Sequence, residues 1–110
     1  MVQHKAASMI GLAMKAGCIA AGELAAEQAL RRGNARLVIL AEDASQNTVK
    51  KFSNMAVFRH VPVCRLFTKE ELGRAVGRGE RSCLIVTEEA FARQITEKMS
   101  GQDIQNTQER

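Results

Sequence analysis

Aromatic residues are scarce in this chain of 110 residues, which contains no tryptophan, no tyrosine and four phenylalanines. Proteins that bind single-stranded nucleic acid commonly stack bases on exposed aromatic side chains. The phenylalanines here fall within amphipathic helix or strand patterns, and partial exposure is expected only for Phe67. The composition therefore argues against recognition on an aromatic platform.

Cysteine and histidine are also few, with three cysteines and two histidines. Cys18, Cys64 and Cys83 are odd in number, widely spaced and adjacent to apolar residues, which is typical of small core residues in a reducing cytosol. The sequence has no CxxC pair, and His4 and His60 are isolated, so no zinc site is expected. These features predict a cytoplasmic protein without a metal.

Long apolar runs and phosphate-binding glycine motifs are missing as well. The apolar stretch near the N-terminus is interrupted by Gly11, Lys15 and Gly17, is too short to cross a membrane and is followed by no secretory cleavage pattern. The eight glycines form neither a GxGxxG motif after a strand nor a P-loop. No nucleophile, base and orienting group can be placed together. We therefore expect no enzymatic activity, cofactor, small-molecule substrate or membrane contact.

Positive charge is in modest excess. The formal net charge is +4, the pI is about 9.3, and the excess falls in the first two thirds of the chain. Such a balance favours a polyanionic partner over an acidic one.

Helix-like and strand-like segments alternate along the chain. Apolar runs at residues 18–21, 37–41, 63–67 and 83–86 predict four strands, and helical spacing of apolar residues lies between them. Ser45 and Thr68 are predicted to cap helices, and Gly33 to end one. The alternation predicts an α/β fold, a three-layer α/β/α sandwich around a central mixed four-stranded sheet. Residues 1–99 are expected to form one domain and residues 100–110 a disordered polar tail.

Several segments in a fixed order resemble a known family over roughly residues 5–97. These segments are GLAMKAGCIAAGE, ALRRGNARLVILAEDAS, the VPV at 61–63 and TKEELGRAVGRGERSCLIVT. Together they are similar to the bacterial YlxQ-type members of the L-seven-Ae / L-thirty-e ribosomal protein superfamily. The resemblance implies an α/β/α sandwich that binds structured RNA, typically a kink-turn. Ribosomal or other structured RNA is the expected partner, and the chain is expected to be a monomer.

The resemblance also implies which residues contact RNA. They belong to the loop before the second helix and its first turns, the loop after AED, and the loop before the last strand: Gly22, Glu23, Leu24, Ala25, Gln28, Glu42, Asp43, Ala44, Arg78, Gly79 and Glu80. Lys15 and Arg32 are further candidates, either as phosphate contacts or as solvated charges at helix ends. Without the resemblance, Glu42 and Asp43 would be interpreted as a cap on the next helix. Residues 77–81 would be interpreted as a flexible basic connector or, alternatively, as a loop in which Arg78 and Arg81 donate to a phosphate or a base edge.

Three departures from the family pattern bear on specificity. Kink-turn binders carry Gly-Thr-Asn-Glu at the second helix start, where the Asn and Glu read guanine edges, but this chain has Leu24 and Ala25 there. Each bidentate base contact contributes about 1 to 3 kcal/mol of discrimination, so specific kink-turn binding is expected to be weakened. In addition, Cys18 stands where relatives often have lysine, and residues 78–80 are polar where the family usually presents an apolar pair.

Two functions remain open at this point. The first is RNA binding without catalysis, expected to depend on shape and backbone contacts. The second is a protein-interaction scaffold that kept the fold after losing RNA readout, with Leu24 and Ala25 as exposed apolar surface. A substrate-binding module of the kind attached to RNA methyltransferases is a weaker third option, because the chain leaves no room for a cofactor-binding domain.

Overall fold

The computed structural model describes residues 2–99 and 104–105. Helices and strands alternate in the order α1 (Val2–Lys15), β1 (Ile19–Ala21), α2 (Glu23–Arg31), β2 (Leu37–Leu40), α3 (Gln46–Phe58), β3 (Val63–Arg65), α4 (Lys69–Ala75), β4 (Cys83–Val86), α5 (Glu89–Lys98) and β5 (Ile104–Gln105). The tail predicted at 100–110 falls outside the described residues except for β5, which pairs with β3.

The helix boundaries follow from local hydrogen bonding. The Ser45 hydroxyl accepts a hydrogen bond from the Thr48 amide at the start of α3. Thr68 and Glu71 form a complete capping box on α4, and Gly33 adopts a positive φ of 77° just after α2. These three predictions from sequence are confirmed, because each depends only on residues within one turn of a helix end.

The strands form one mixed sheet in the order β1-β4-β2-β3-β5. β4 runs antiparallel to both β1 and β2, whereas β2 and β3 are parallel. Val38 lies at the centre of this arrangement, since it is paired with Ile85 on one side and Val63 on the other. The mixed four-stranded sheet is confirmed, and β5 adds two residues at its edge.

Alternate side chains of the sheet enter two separate cores. On β2, Leu37 and Ile39 pack in the core that includes residues of α1, α4 and α5. Val38 and Leu40 pack in the other core, which includes residues of α2 and α3. All four are buried, as expected of a strand covered on both faces. The three-layer α/β/α sandwich is thus confirmed.

Two predictions about the third strand need correction. This strand ends at Arg65 and not at residue 67, because Phe67 has a φ of 68° in the left-handed region. Its carbonyl oxygen accepts a hydrogen bond of 2.7 Å from the Glu42 amide, outside the ladder of the sheet. Phe67 is also buried, with 9% of its surface exposed, and does not lie partly exposed as expected.

The topology sorts the loops onto two edges of the sheet. Because β1, β2 and β3 run the same way and β4 runs against them, the loops after the first three strands meet the loop before β4. Gly22 donates to the Cys83 carbonyl oxygen, and Ala41 donates to that of Ser82. We call this the carboxyl edge (residues 22–25, 42–45, 66–69 and 78–82). The opposite amino edge comprises residues 16–18, 32–36, 58–62 and 87–89.

No helix within the described part of the chain is both long and apolar enough to cross a membrane.

Candidate nucleic-acid interface

Glu23 connects three elements at the carboxyl edge. Its Oε2 accepts a hydrogen bond of 2.9 Å from the Thr48 hydroxyl on α3 and one of 3.0 Å from the Ser82 hydroxyl just before β4. Thr48 is nearly buried, with 8% of its surface exposed. The carboxylate that the resemblance places at an RNA contact therefore holds α2, α3 and the entrance to β4 together.

Gly22 and Arg81 meet beside this junction. Gly22 has a φ of 94°, a conformation that favours glycine. The Arg81 Cδ and Nε atoms lie 3.6 Å from the point where a Cβ at position 22 would stand. The Arg81 Nη1 donates to the carbonyl oxygens of Gly79 and Glu80, at 3.2 and 2.8 Å. Arg81 thereby joins two segments of the site, although it is not among the residues that the resemblance implies.

The loop after β2 is shaped by two side-chain contacts. The Asp43 carboxylate accepts a 2.8 Å hydrogen bond from the Lys69 amide, at the first residue of α4. The Arg65 Nη2 donates to the Glu42 carbonyl oxygen at 2.9 Å. The helix that Asp43 caps is therefore α4, and not α3, the next helix in sequence, which the acidic pair was predicted to cap. This contact depends on β2 and β3 lying side by side, which sequence spacing does not reveal.

The loop before β4 folds back onto α4. The Arg78 amide donates to the Gly73 carbonyl oxygen at 2.8 Å, and the Arg81 amide donates to that of Lys69 at 3.1 Å. Gly73 is buried against the Gly79 carbonyl, leaving no room for a Cβ at position 73. The Arg78 and Glu80 side chains are exposed. The loop thus has a supported backbone and two charged side chains in solvent.

A shallow depression of about 480 Å³ lies between the start of α2 and the loop before β4. Its lining residues are Ala21, Gly22, Glu23, Leu24, Ala25, Glu80, Arg81 and Ser82. Leu24 is 74% exposed, so the apolar surface expected there is present. Gln28, one turn further along α2, is also exposed and shares the face of Leu24.

Charge at the carboxyl edge is evenly mixed. The acidic residues of its loops are Glu23, Glu42, Asp43 and Glu80, and the basic residues that lie beside them are Arg65, Lys69, Arg78 and Arg81. The carboxylates of Glu23 and Asp43 accept hydrogen bonds from uncharged hydroxyl and amide groups, and neither forms a salt bridge within the described residues. A polyanion would meet little net positive charge here, so the electrostatic part of its binding to this edge would be small.

The structure separates two predicted residues from the rest. α2 begins at the carboxyl edge and runs away from it for nine residues, about 14 Å, so Arg32 lies at the amino edge. Lys15 is at the end of α1, just before the start of β1, and belongs to that same edge. The remaining predicted residues, with Arg81 and Ser82 added, surround the carboxyl edge.

Two of the three cysteines are buried in the cores of the sandwich. Burial raises the pKa of the Cys83 thiol to about 12, with Glu23 adding to the effect, so the thiol is protonated at neutral pH. Cys64 is buried too. Cys18, expected in the core, is only half-buried because it precedes β1. The described part of the chain has no cluster of three or more His, Cys, Asp or Glu residues that could hold a metal.

Curated relatives cover most of the chain. It is 33% identical over 99 residues to the RNA-binding protein YlxQ of Enterococcus faecium, which corresponds to 90% of this chain and 95% of that protein. It is 34% identical over 87 residues to the RNA-binding protein YlxQ of Bacillus subtilis (strain 168), covering 79% and 87% of the two chains.

Solved structures share the fold. A protein of unknown function from Bacillus halodurans C superposes with a TM-score of 0.82 at 33% identity, over 86% of this chain and 95% of the other. The Giardia lamblia 15.5kD RNA binding protein superposes with a TM-score of 0.75 at 22% identity, covering 88% and 83%, a likeness of fold. The family profile matches residues 4–96. The chain therefore belongs to the Ribosomal protein L7Ae/L30e/S12e/Gadd45 family.

Proposed function

We propose that this protein binds structured RNA at the carboxyl edge and catalyses no reaction. The observation that carries the proposal is the convergence of three loops, residues 22–25, 42–44 and 78–80, which are held together through Glu23, Asp43 and the backbone of α4. An interface fixed in this way before binding loses little conformational freedom when RNA arrives. The curated relatives named as RNA-binding proteins support the same function.

Within this interface, each loop has a distinct role. Arg78 contacts a phosphate or the face of a base, because its guanidinium is exposed and can bind bidentately or stack. Gly22 allows the RNA backbone to approach the start of α2 closely. Leu24 and Ala25 pack against sugar or base surfaces. Glu23 and Asp43 are positioning residues, since their carboxylates are used within the protein.

We further propose a sharply bent, kink-turn-like RNA as the target, read mainly by its shape. Leu24 and Ala25 offer no hydrogen-bonding groups to guanine edges, so discrimination among bases is expected to be low. Ribosomal RNA in the cytoplasm is the source that fits the family resemblance best, with one copy of the chain on each RNA site.

The test is a titration of the full chain with a kink-turn hairpin and with a straight duplex of equal length, each at two salt concentrations. The hairpin is expected to bind more tightly at both, and its affinity to fall as salt rises. Arg78→Glu is expected to weaken hairpin binding by charge reversal. Arg93→Glu, on α5 and away from the carboxyl edge, is expected to leave it unchanged.

Equal affinity for hairpin and duplex would remove the kink-turn preference but not RNA binding. No binding to either would overturn the proposed function. A loss of affinity in Arg93→Glu but not in Arg78→Glu would move the interface away from the carboxyl edge.

The exposed apolar side chain of Leu24 favours one alternative, a protein-interaction scaffold with weakened RNA readout. Co-purification with and without ribonuclease separates the two functions, because RNA-dependent partners disappear after digestion and direct protein partners remain. Substitution Leu24→Ser should release a direct partner if the alternative holds.

A further inference from the structure

Phe58 is the most exposed large apolar side chain among the described residues, at 78%. It is the last residue of α3, and it lies at the amino edge, opposite the proposed RNA interface. The guanidinium carbon of Arg59 stands 5.7 Å from the centroid of the Phe58 ring, which is within range of a cation-π interaction. The expectation that the phenylalanines all pack inward is therefore wrong at this position.

The ring borders an open cavity of about 520 Å³. The cavity lies where the ends of α2 and α3 meet the starts of β2, β3 and α5. Residues lining it include Arg36, Phe58, Arg59, His60, Pro62 and Glu89. Its volume is in the range of ordinary ligand pockets, and its wall combines a flat ring with two guanidinium groups.

Arg36 is held in place by the backbone around it. Its Nη1 donates to the carbonyl oxygens of Gly33 and Ala35, at 3.2 and 3.1 Å. Within the described residues, none of the hydrogen bonds uses its Nε or Nη2, and neither Arg36 nor Arg59 belongs to a salt bridge. Two arginines at this edge are therefore available to an anionic ligand.

A helix dipole explains only part of this arrangement. A cation such as Arg59 at a helix C-terminus is commonplace, because it interacts with the last carbonyl groups. A helix end does not, however, require an aromatic ring in solvent, and burial normally removes such a ring from water. The ring lies beside two arginines that belong to no salt bridge within the described residues, and this combination fits a ligand with both a flat apolar face and negative charge.

We propose that the amino edge binds an unpaired nucleotide of the RNA, with the base stacked on Phe58 next to Arg59 and a phosphate at Arg36. The choice of RNA as the ligand rests on the proposed function. Charge at the amino edge adds modest support, because Arg32, Arg36 and Arg59 exceed Glu88 and Glu89 by one positive charge. Stacking accepts any base, so little sequence preference is expected at this second site.

The test is a titration of the ¹⁵N-labelled chain with single-stranded octauridylate, followed through backbone amide signals. Signals of Arg36, Phe58 and Arg59 are expected to shift. Phe58→Leu, which keeps an apolar side chain but removes the ring, should weaken binding about tenfold or more. Phe58→Trp, which keeps an aromatic ring, should bind octauridylate about as tightly as the original chain does. Val57→Ala is the matched control, because Val57 is 56% exposed on the same helix end and does not line the cavity.

Shifts confined to the carboxyl edge, or unchanged affinity in Phe58→Leu, would overturn this inference. It would also be overturned if octaglutamate bound as tightly as octauridylate and tolerated Phe58→Leu, since the surface would then be a peptide site. A kink-turn hairpin without single-stranded ends separates the two proposals. Phe58→Leu should leave hairpin binding unchanged, so failure of the hairpin to bind counts only against the carboxyl edge.

Discussion

Glu23 connects several elements of the carboxyl edge through one side chain. It lies at the first position of α2, yet its carboxylate binds hydroxyl groups from residues 25 and 59 positions further along the chain. The family resemblance implies an RNA contact for this residue, and the structure adds these contacts within the protein. The sequence could not reveal these contacts, because they depend on how α3 and β4 are placed around α2.

Replacing Glu23 with alanine is expected to lower the free energy of unfolding by about 2 kcal/mol, since two hydrogen bonds to a charged acceptor are lost and the Thr48 hydroxyl is left nearly buried. Urea denaturation measures the effect. Glu80→Ala is the control: its side chain makes no hydrogen bond among the described residues, and its stability should stay within about 0.5 kcal/mol of the original. Similar losses of stability in both variants would show that the hydrogen bonds of Glu23 to Thr48 and Ser82 do not stabilise the fold.

Cys83 makes the stability of the folded chain depend on pH. Its thiol has a pKa raised from 9.0 to about 12 by burial and by Glu23, so the folded chain holds this proton more tightly than the unfolded chain does. The resulting stability is complete below pH 9 and is lost as the pH rises towards 12. Between pH 8 and 10.5 the original chain should lose about 2 kcal/mol more than Cys83→Ala. Equal losses of stability in the original chain and in Cys83→Ala, measured by denaturation at the two pH values, would contradict the prediction.

At the scale of the elements, local rules predicted some boundaries and missed others. The caps at Ser45 and Thr68 were predicted because each involves a side chain and an amide three residues apart. The early end of β3 was not, since Phe67 leaves the strand to accept a hydrogen bond from Glu42 in a neighbouring loop. Phe58 was misplaced because it follows the buried residues Phe52 and Ala56 but lies off their face of α3.

Because α4 contacts the loop before β4, replacing a glycine with alanine should affect stability differently at Gly73 and at Gly79. Gly73→Ala would drive a Cβ into the Gly79 carbonyl. We expect it to lower stability by about 1 to 3 kcal/mol, as overpacking commonly does, and to weaken hairpin binding by displacing Arg78. In contrast, Gly79→Ala places its Cβ where no atom lies within 4 Å, so stability should change little. Thermal unfolding and the hairpin titration test both variants, and equal stability of the two would contradict the steric argument.

For the whole molecule, the layer architecture was predictable and the site was predictable only in outline. Alternating strand and helix patterns identify a three-layer sandwich because continuous apolar strands require cover on both faces. The segments of the carboxyl edge came from the family resemblance. Ser82 was missed and the contact of Arg81 with Gly22 was not predicted, since these contacts arise from the antiparallel pairing of β1 with β4.

The distribution of charge over the two edges predicts how RNA binding responds to salt. Because cations and carboxylates are balanced at the carboxyl edge, the slope of log affinity against log salt should be shallow for a hairpin without single-stranded ends. Arg78→Ala should reduce the slope by about one, as expected for one phosphate contact. An unchanged slope would show that Arg78 does not contact phosphate. Binding isotherms at four or more salt concentrations give this slope.

The register of the sheet also determines what oxidation can do to the folded protein. Cys64 and Cys83 enter opposite cores from strands that flank β2, roughly 10 Å apart, whereas a disulfide needs Cα atoms within about 7 Å. Cys18 lies next to Ile19, which pairs with Val86, at the far end of β4 from Cys83, and two strands separate it from β3. The three thiols therefore cannot form an internal disulfide while the sheet is intact. Oxidative crosslinking of the folded chain can occur only between molecules, through Cys18.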